Sequence, residues 1–131
     1  RFKGVTMWLS VAAISVGASL GALLRWVFGL FLGGMSANLQ MGTVASNLVG
    51  GYLIGVAVAF FASHQDLSPE WRLLVITGFL GGLTTFSSFS AEVTDMLQKG
   101  LVGVAFTTIL IHLLGSLAMT FLGILTYQAF K

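Results

Sequence analysis

Cysteine is absent and proline occurs once, at Pro69. The missing thiols exclude disulfides, thiolate metal sites and a cysteine nucleophile, and leave the redox compartment undecided. Charge is nearly absent as well. Six basic and four acidic residues make up 8% of the 131-residue chain, where a water-soluble domain carries roughly a quarter. Ten charges do not cover a soluble surface. With 56% hydrophobic residues and a mean hydropathy of +0.98, the solvent that fits this composition is a lipid bilayer. A spanning helix takes about 20 mostly apolar residues, so the length accommodates four spans with short connections and no separate extramembrane domain. Function must then lie inside the membrane. The net charge of +2 in so sparsely charged a chain gives no reason to expect a nucleic-acid partner.

Polar stretches divide the chain into four apolar runs, predicted as helices over about 5–32, 41–63, 71–98 and 101–127 of a single transmembrane domain, 1–131. The first opens on Arg1 and Lys3, which imitate the start of a signal peptide, but the apolar run is too long for one and reads as a membrane helix. Because the sequence begins at Arg1 rather than Met, the native start is expected to be missing or modified. The run ends at Gly33 and Gly34, before a loop over Met35–Gln40. The segment His64–Glu70 is the most polar in the chain. In it Ser68, followed by Pro69, is expected to cap the third helix, with Trp71 as an interfacial aromatic. Lys and Arg in short loops set orientation, and here the bias is weak: Arg1, Lys3, Arg72 and Lys131 on the side of the termini against Arg25 and Lys99 on the other. That distribution suits insertion in either direction.

Seventeen glycines are the counterpart of these absences. Gly17 with Gly21, Gly29 with Gly33, Gly51 with Gly55 and Gly78 with Gly82 stand four apart, the spacing that lets membrane helices approach closely. Four helices packed so tightly leave no lumen, which points to a homodimer at least.

In hydrocarbon each polar side chain asks for a partner, a cavity or a passenger. Asn47 shares a helix face with Thr43, Gly50 and Gly51, and its carboxamide either glues two helices or donates to an anion. The third run, from Gly78 to Ser90, has too many Gly, Ser and Thr residues to propagate comfortably, and a break is predicted near Gly81–Thr84. Non-helical backbone at membrane depth survives only in protein or beside a cavity, where carbonyls take cations and N–H ends take anions. Phe86 and Phe89 follow, three apart. They are either ordinary packing or ring edges, which are positive, presented to an anion. Thr85, Ser88 and Glu92 form a stripe beside them, and His112, Ser116 and Thr120 repeat every four residues on the last helix. Arg25 is read as a cation paired with a carbonyl, snorkelling to the interface, or attracting anions at a pore mouth.

The string from Gly81 to Ser90, Gly-Gly-Leu-Thr-Thr-Phe-Ser-Ser-Phe-Ser, with Glu92 after it and Asn47-Leu-Val-Gly on the preceding helix, resembles the small fluoride channels called Fluc or CrcB. The resemblance extends over essentially the whole chain. It implies an all-α polytopic membrane protein of four helices with a broken third, assembled as an antiparallel, dual-topology homodimer in the bacterial inner (plasma) membrane. Two narrow pores would pass fluoride passively. Phe86 and Phe89 would be the pore phenylalanines and Asn47 the amide beside them. Ser87, Ser88, Thr43, Ser116, Thr120 and His112 would be donors along the route, with Glu92 and Arg25 at the vestibule. Backbone carbonyls of Gly81 and Thr84 would hold a structural sodium ion on the two-fold axis.

Three other readings compete. A proton-coupled exporter of similar size wants an acidic residue in the middle of a helix, and only Glu92, past the Phe pair, offers itself. A purely structural subunit explains the glycine spacings but not three polar stripes. An intramembrane hydrolase built on Ser87 or Ser88 with His112 lacks an orienting carboxylate pattern, so no enzyme is expected.

Overall fold

The computed structural model of the chain describes residues 4–33 and 39–131. The readings that rest on Arg1, Lys3, Gly34 and the loop from Met35 to Asn38 lie outside those residues. Every regular element among the described residues is helical: α1 (Gly4–Leu32), α2 (Met41–Ser63), α3 (Pro69–Arg72), a π-helical stretch (Leu73–Leu80), α4 (Gly81–Leu83), α5 (Phe86–Gln98) and α6 (Val102–Phe130). They make four spans long and apolar enough to cross a membrane, Met7–Leu32, Met41–Ser63, Pro69–Gln98 and Val102–Phe130. The chain is a multi-pass membrane protein. At 1.5 Å per residue the 29 residues of α1, and likewise of α6, reach about 43 Å, more than the roughly 30 Å of a hydrocarbon core.

Local chemistry places the ends. Pro69 opens α3, where its missing N–H costs nothing. Ser68 occupies the N-cap position as expected, but its hydroxyl bonds the Glu70 carboxylate instead of a helix amide. The α5–α6 turn closes on Gly100, whose φ of 78° is the left-handed conformation that favours glycine. There the amide of Leu101 reaches back to the Met96 carbonyl at 2.8 Å and that of Gly100 to Leu97 at 3.1 Å, the double closure of a Schellman motif.

Packing follows the glycines. α1 lies along the π-helical stretch and α4, and α2 lies along α6. A methyl group at Gly21 would run into the carbonyl of Phe79, and one at Gly55 into the carbonyl of Thr120, so backbone meets backbone at both seams. Gly17, Gly51, Gly78, Gly82 and Gly123 stand against neighbouring backbone in the same way. The paired spacings therefore do what the sequence suggested, except in the Gly29 and Gly33 pair, where no atom crowds a methyl added at Gly29 and one added at Gly33 would meet only the Gly29 carbonyl of its own helix. The buried core is small: Ala57, Phe61, Leu80 and Leu83 in one cluster, Val93, Met96 and Ala105 in another. Large apolar side chains such as Phe31, Phe121 and Leu30 stay exposed instead, as lipid-facing residues do, because hydrocarbon does not drive them inward.

Candidate functional site

The third span breaks between Leu83 and Phe86. Thr84 and Thr85 are extended, with ψ of 155° and 120°, so the predicted interruption falls at the far edge of its expected range. Upstream, the chain is already wider than an α-helix, the Gly81 amide reaching the Ile76 carbonyl five residues back. A break strips backbone groups of their helical partners, and at membrane depth each must find another.

Side chains of α1 and α2 supply three of those partners, and one of α6 braces the second. Arg25 of α1 donates from Nε to the Gly82 carbonyl at 3.0 Å. Of the roles weighed for it, pairing with a carbonyl is the one observed. Asn47 of α2 pairs with both polar groups of Thr85, accepting its N–H at Oδ1 (2.8 Å) and donating from Nδ2 to its carbonyl (3.1 Å). The same Nδ2 lies 2.9 Å from His112 Nδ1 on α6. Thr85 then starts α5 as its N-cap, its hydroxyl oxygen accepting the Ser88 amide at 3.1 Å. Thr85 is consequently not on one helical stripe with Ser88 and Glu92, because it sits outside the helix that carries them.

Thr84, Thr85, Phe86, Phe89, Asn47, His112 and Ser116 line one cavity of about 310 Å³. The Phe86 and Phe89 rings meet edge to face at 5.4 Å between centroids, and Phe89 lies 4.6 Å from the His112 ring. Phe86 is 78% exposed, an apolar ring standing at the open side of the cavity. A second cavity, of about 320 Å³, shares Asn47, Thr84 and Ser116 and adds Gly81 and Thr120. There the Thr120 hydroxyl is 3.0 Å from both the Gly51 and the Ser116 carbonyls. No charged side chain lines either cavity. The walls offer hydroxyl, amide and imidazole groups, aromatic edges, and the N-terminal end of α5 with its partial positive charge.

The remaining sequence-predicted residues fall elsewhere. Thr43 donates to Glu92 Oε2 at 2.5 Å. Glu92 lines a polar cavity at the end of α5 with Gln40, Asp95 and Lys99, and Asp95 and Lys99 form an exposed ion pair of 2.9 Å. Ser87 and Ser88 do not line the cavities of the break. Ser87 is exposed, its hydroxyl 3.2 Å from that of Thr85. Thr85 is the residue of the break that sequence reasoning undervalued. Its N-cap position was the available signal, a Thr directly before the Phe-Ser-Ser-Phe run.

Whether the break suits a cation is tested by its carbonyls. The amide that an unbroken helix would give the Gly81 carbonyl, that of Thr85, goes to Asn47. The amide that would serve the Thr84 carbonyl, that of Ser88, goes to the Thr85 hydroxyl. Both carbonyls named from the sequence have thus lost their helical donors, the condition in which a carbonyl oxygen is available to a hard cation. No group of three or more His, Asp or Glu side chains is placed to hold a metal ion among the described residues.

Comparison with known proteins agrees with this architecture. The family model described as "CrcB-like protein, Camphor Resistance (CrcB)" matches residues 12–124. A protein of Polynucleobacter asymbioticus named "Fluoride-specific ion channel FluC" is 62% identical over 125 residues, 95% of this chain and 100% of that one. Proteins of the same name from Chromobacterium violaceum and Nitrosomonas europaea are 59% and 54% identical, covering 93% and 95% of this chain and 97% and 98% of theirs. These relatives are named for transport and not for a chemical transformation. A four-span chain with an Asn-bridged break, matched along nearly its full length by such proteins, belongs to the CrcB-like family.

Proposed function

We propose that the chain is a fluoride-specific ion channel, a passive pore that lets the anion leave the cytoplasm across the inner membrane. The observation that carries the proposal is the uncharged cavity at the break, with Phe86, Phe89, His112 and Ser116 around it. Relatives covering more than nine-tenths of the chain are named for fluoride conduction, which supplies the ion.

Fluoride holds its water tightly, so a pore must replace hydration with several hydrogen-bond donors and still bind weakly enough to release the ion. Neutral groups satisfy both demands. The hydroxyl of Ser116, the imidazole of His112 and the ring edges of Phe86 and Phe89 offer partial positive charge without a full charge that would trap the ion. A narrow lining excludes chloride by size. Passive export suffices physiologically, since fluoride enters as neutral HF, ionises in the more alkaline cytoplasm and leaves down its gradient.

The exposed Phe86 and the open sides of both cavities fit an assembly in which a second, antiparallel copy completes two pores. The weak charge bias of the loops accommodates the two orientations this requires. Carbonyls of Gly81 and Thr84 would hold a sodium ion between the copies, which supplies a fixed positive potential beside the pore. Glu92 with Thr43 would form the polar mouth, Ser87 and Ser88 would add hydroxyls at the start of α5, and Arg25 secures the break from the α1 side. A proton-coupled exporter is disfavoured by the placement of Glu92, which is bonded to Thr43 at the mouth and absent from both cavities of the break.

The test is efflux from proteoliposomes, followed with a fluoride electrode under a valinomycin-supported potassium gradient, with chloride measured in parallel. Fluoride release without chloride release is expected. Folded dimers that retain their fluoride would sink the proposal.

A further inference from the structure

The first helix does not stay with one neighbour. A methyl group at Gly17 would run into the Leu74 carbonyl of the third span, whereas one at Gly42 of α2 would run into the α-carbon of Gly29. α1 therefore leans on the third span in its first half and reaches α2 near its end. Between α2 and the third span this leaves a cleft of about 460 Å³ below the loop that joins them. Leu53, Val56 and Phe60 form one wall and Trp71, Val75 and Phe79 the other, and every side chain that lines the cleft is aliphatic or aromatic. On α2 the wall residues follow Gly42 by 11, 14 and 18 positions, which at 3.6 residues per turn puts them within about 40° of the line where α1 touches the helix. Gly51, nine positions after Gly42, faces the opposite way and meets Ser116 of α6. The cleft thus opens on the α1 side of α2, away from the cavity of Gly81, Thr84 and Thr120 against which the proposed second copy would sit.

In a bilayer such a space takes an acyl chain, since hydrocarbon packs on Leu and Phe as well as protein does and an empty cleft forfeits those contacts. The charges at its rim select the headgroup. Arg72 is exposed, its guanidinium 5.8 Å over the ring of Phe61, which also lines the cleft. The single ion pair among the described residues joins Asp95 to Lys99, so Arg72 has no carboxylate partner there. Asp66, exposed and next to the lining residue Leu67, has no cation. Glu70 is engaged elsewhere: it accepts the Ser68 hydroxyl and lines a separate apolar recess with Leu9 and Val16. One unpaired positive and one unpaired negative charge therefore stand above an apolar slot. We infer that the cleft is a binding site for a zwitterionic phospholipid with an ammonium headgroup. Its acyl chain lies between α2 and the third span, its phosphate on Arg72, whose planar fork matches phosphate oxygens, and its ammonium on Asp66. The lipid fills the space that α1 leaves and braces the seam of α2 with the third span.

The experiment is native mass spectrometry of the full chain, reconstituted in vesicles of phosphatidylethanolamine and phosphatidylglycerol in equal amounts and released in mild detergent. One phosphatidylethanolamine retained per chain, in preference to phosphatidylglycerol, is expected. Arg72→Gln should lower the retained fraction about tenfold or more, the effect of losing one hydrogen bond to a charged group. Val56→Trp fills the slot and should abolish retention. Neither side chain lines the cavities of the break, and monodisperse elution reports that each variant is folded. Absence of retained lipid, preference for phosphatidylglycerol, or retention that both folded variants leave unchanged overturns the inference. A second measurement distinguishes lipid from protein in the cleft. The chain has no cysteine, so Val56→Cys supplies a single thiol, and treatment of the membranes with an oxidant is expected to give no disulfide-linked pair. Efficient linkage would place a second copy in the cleft and refute the lipid site. None of these readouts depends on which ion the protein conducts, so their failure leaves the channel reading standing, and the failure of that reading leaves the lipid site standing.

Discussion

Replacing Asn47 by alanine removes the one side chain that pairs with both polar groups of Thr85. The loss has a size. Each buried backbone group left without a partner costs about 1–3 kcal/mol, so stranding the Thr85 N–H and carbonyl together weakens the local structure by about 2–6 kcal/mol. A factor of ten in an equilibrium corresponds to about 1.4 kcal/mol. The lower bound thus predicts hydrogen exchange at the Thr85 amide roughly 30-fold faster in Asn47→Ala. The effect should be local, because α2 and α6 remain joined through Gly55 and Gly123, far from the substitution along the helix. The assay is hydrogen–deuterium exchange of the reconstituted protein, resolved to the peptide containing Thr84–Phe86, alongside fluoride flux. Asn47→Asp serves as the comparison. It retains an oxygen for the Thr85 amide, so protection there is expected to fall less, while flux still drops because a carboxylate now stands in the anion path. Unchanged protection of Thr85 in a folded Asn47→Ala protein would refute the reasoning, since the break would then be held by something other than this carboxamide.

Three further outcomes are expected. Phe86→Ile and Phe89→Ile should each lower fluoride flux about tenfold or more while the protein stays dimeric by cross-linking, since the apolar character is kept and the positive ring edge is lost; wild-type flux would remove the pair from the mechanism. Gly55→Leu should abolish monodisperse protein, because its first side-chain atom would already collide with the Thr120 carbonyl, and overpacking of this kind costs about 1–3 kcal/mol or more. Replacing sodium by a large organic cation during purification and assay should lower flux if the Gly81 and Thr84 carbonyls hold the ion, and unchanged flux after exhaustive exchange would dismiss it.

Much of this was legible in the sequence because a bilayer imposes simple rules. The boundaries of α2 coincide with its apolar run, Met41–Ser63, and Pro69 and Gly100 mark turns through backbone geometry that no tertiary context alters. The glycine pairs announced where backbones would touch. The π-helical widening over Leu73–Leu80 was not legible, since a mostly apolar run gives no sign of whether its amides bond four or five residues back. Its neighbours bear on it, with Gly17 and Gly78 letting α1 approach the widened backbone directly. The break itself was expected from composition, but its exact partners were not. That Asn47 meets the backbone of Thr85, 38 residues on, and is itself held by His112, 65 residues on, follows from how the spans pack, which hydropathy does not encode. Arg25 shows the intermediate case: the sequence offered three roles, and the position of the Gly82 carbonyl selected one.

The central claim is that the ion moving through the pore is fluoride alone, driven by its own gradient. Its most direct test is the reversal potential of the purified protein in a planar bilayer, with a tenfold fluoride gradient and independently varied chloride and pH. The account predicts a reversal at the fluoride equilibrium potential that neither chloride nor a pH difference displaces. A reversal that follows chloride would contradict selectivity, and one that follows the proton gradient would identify a coupled exporter.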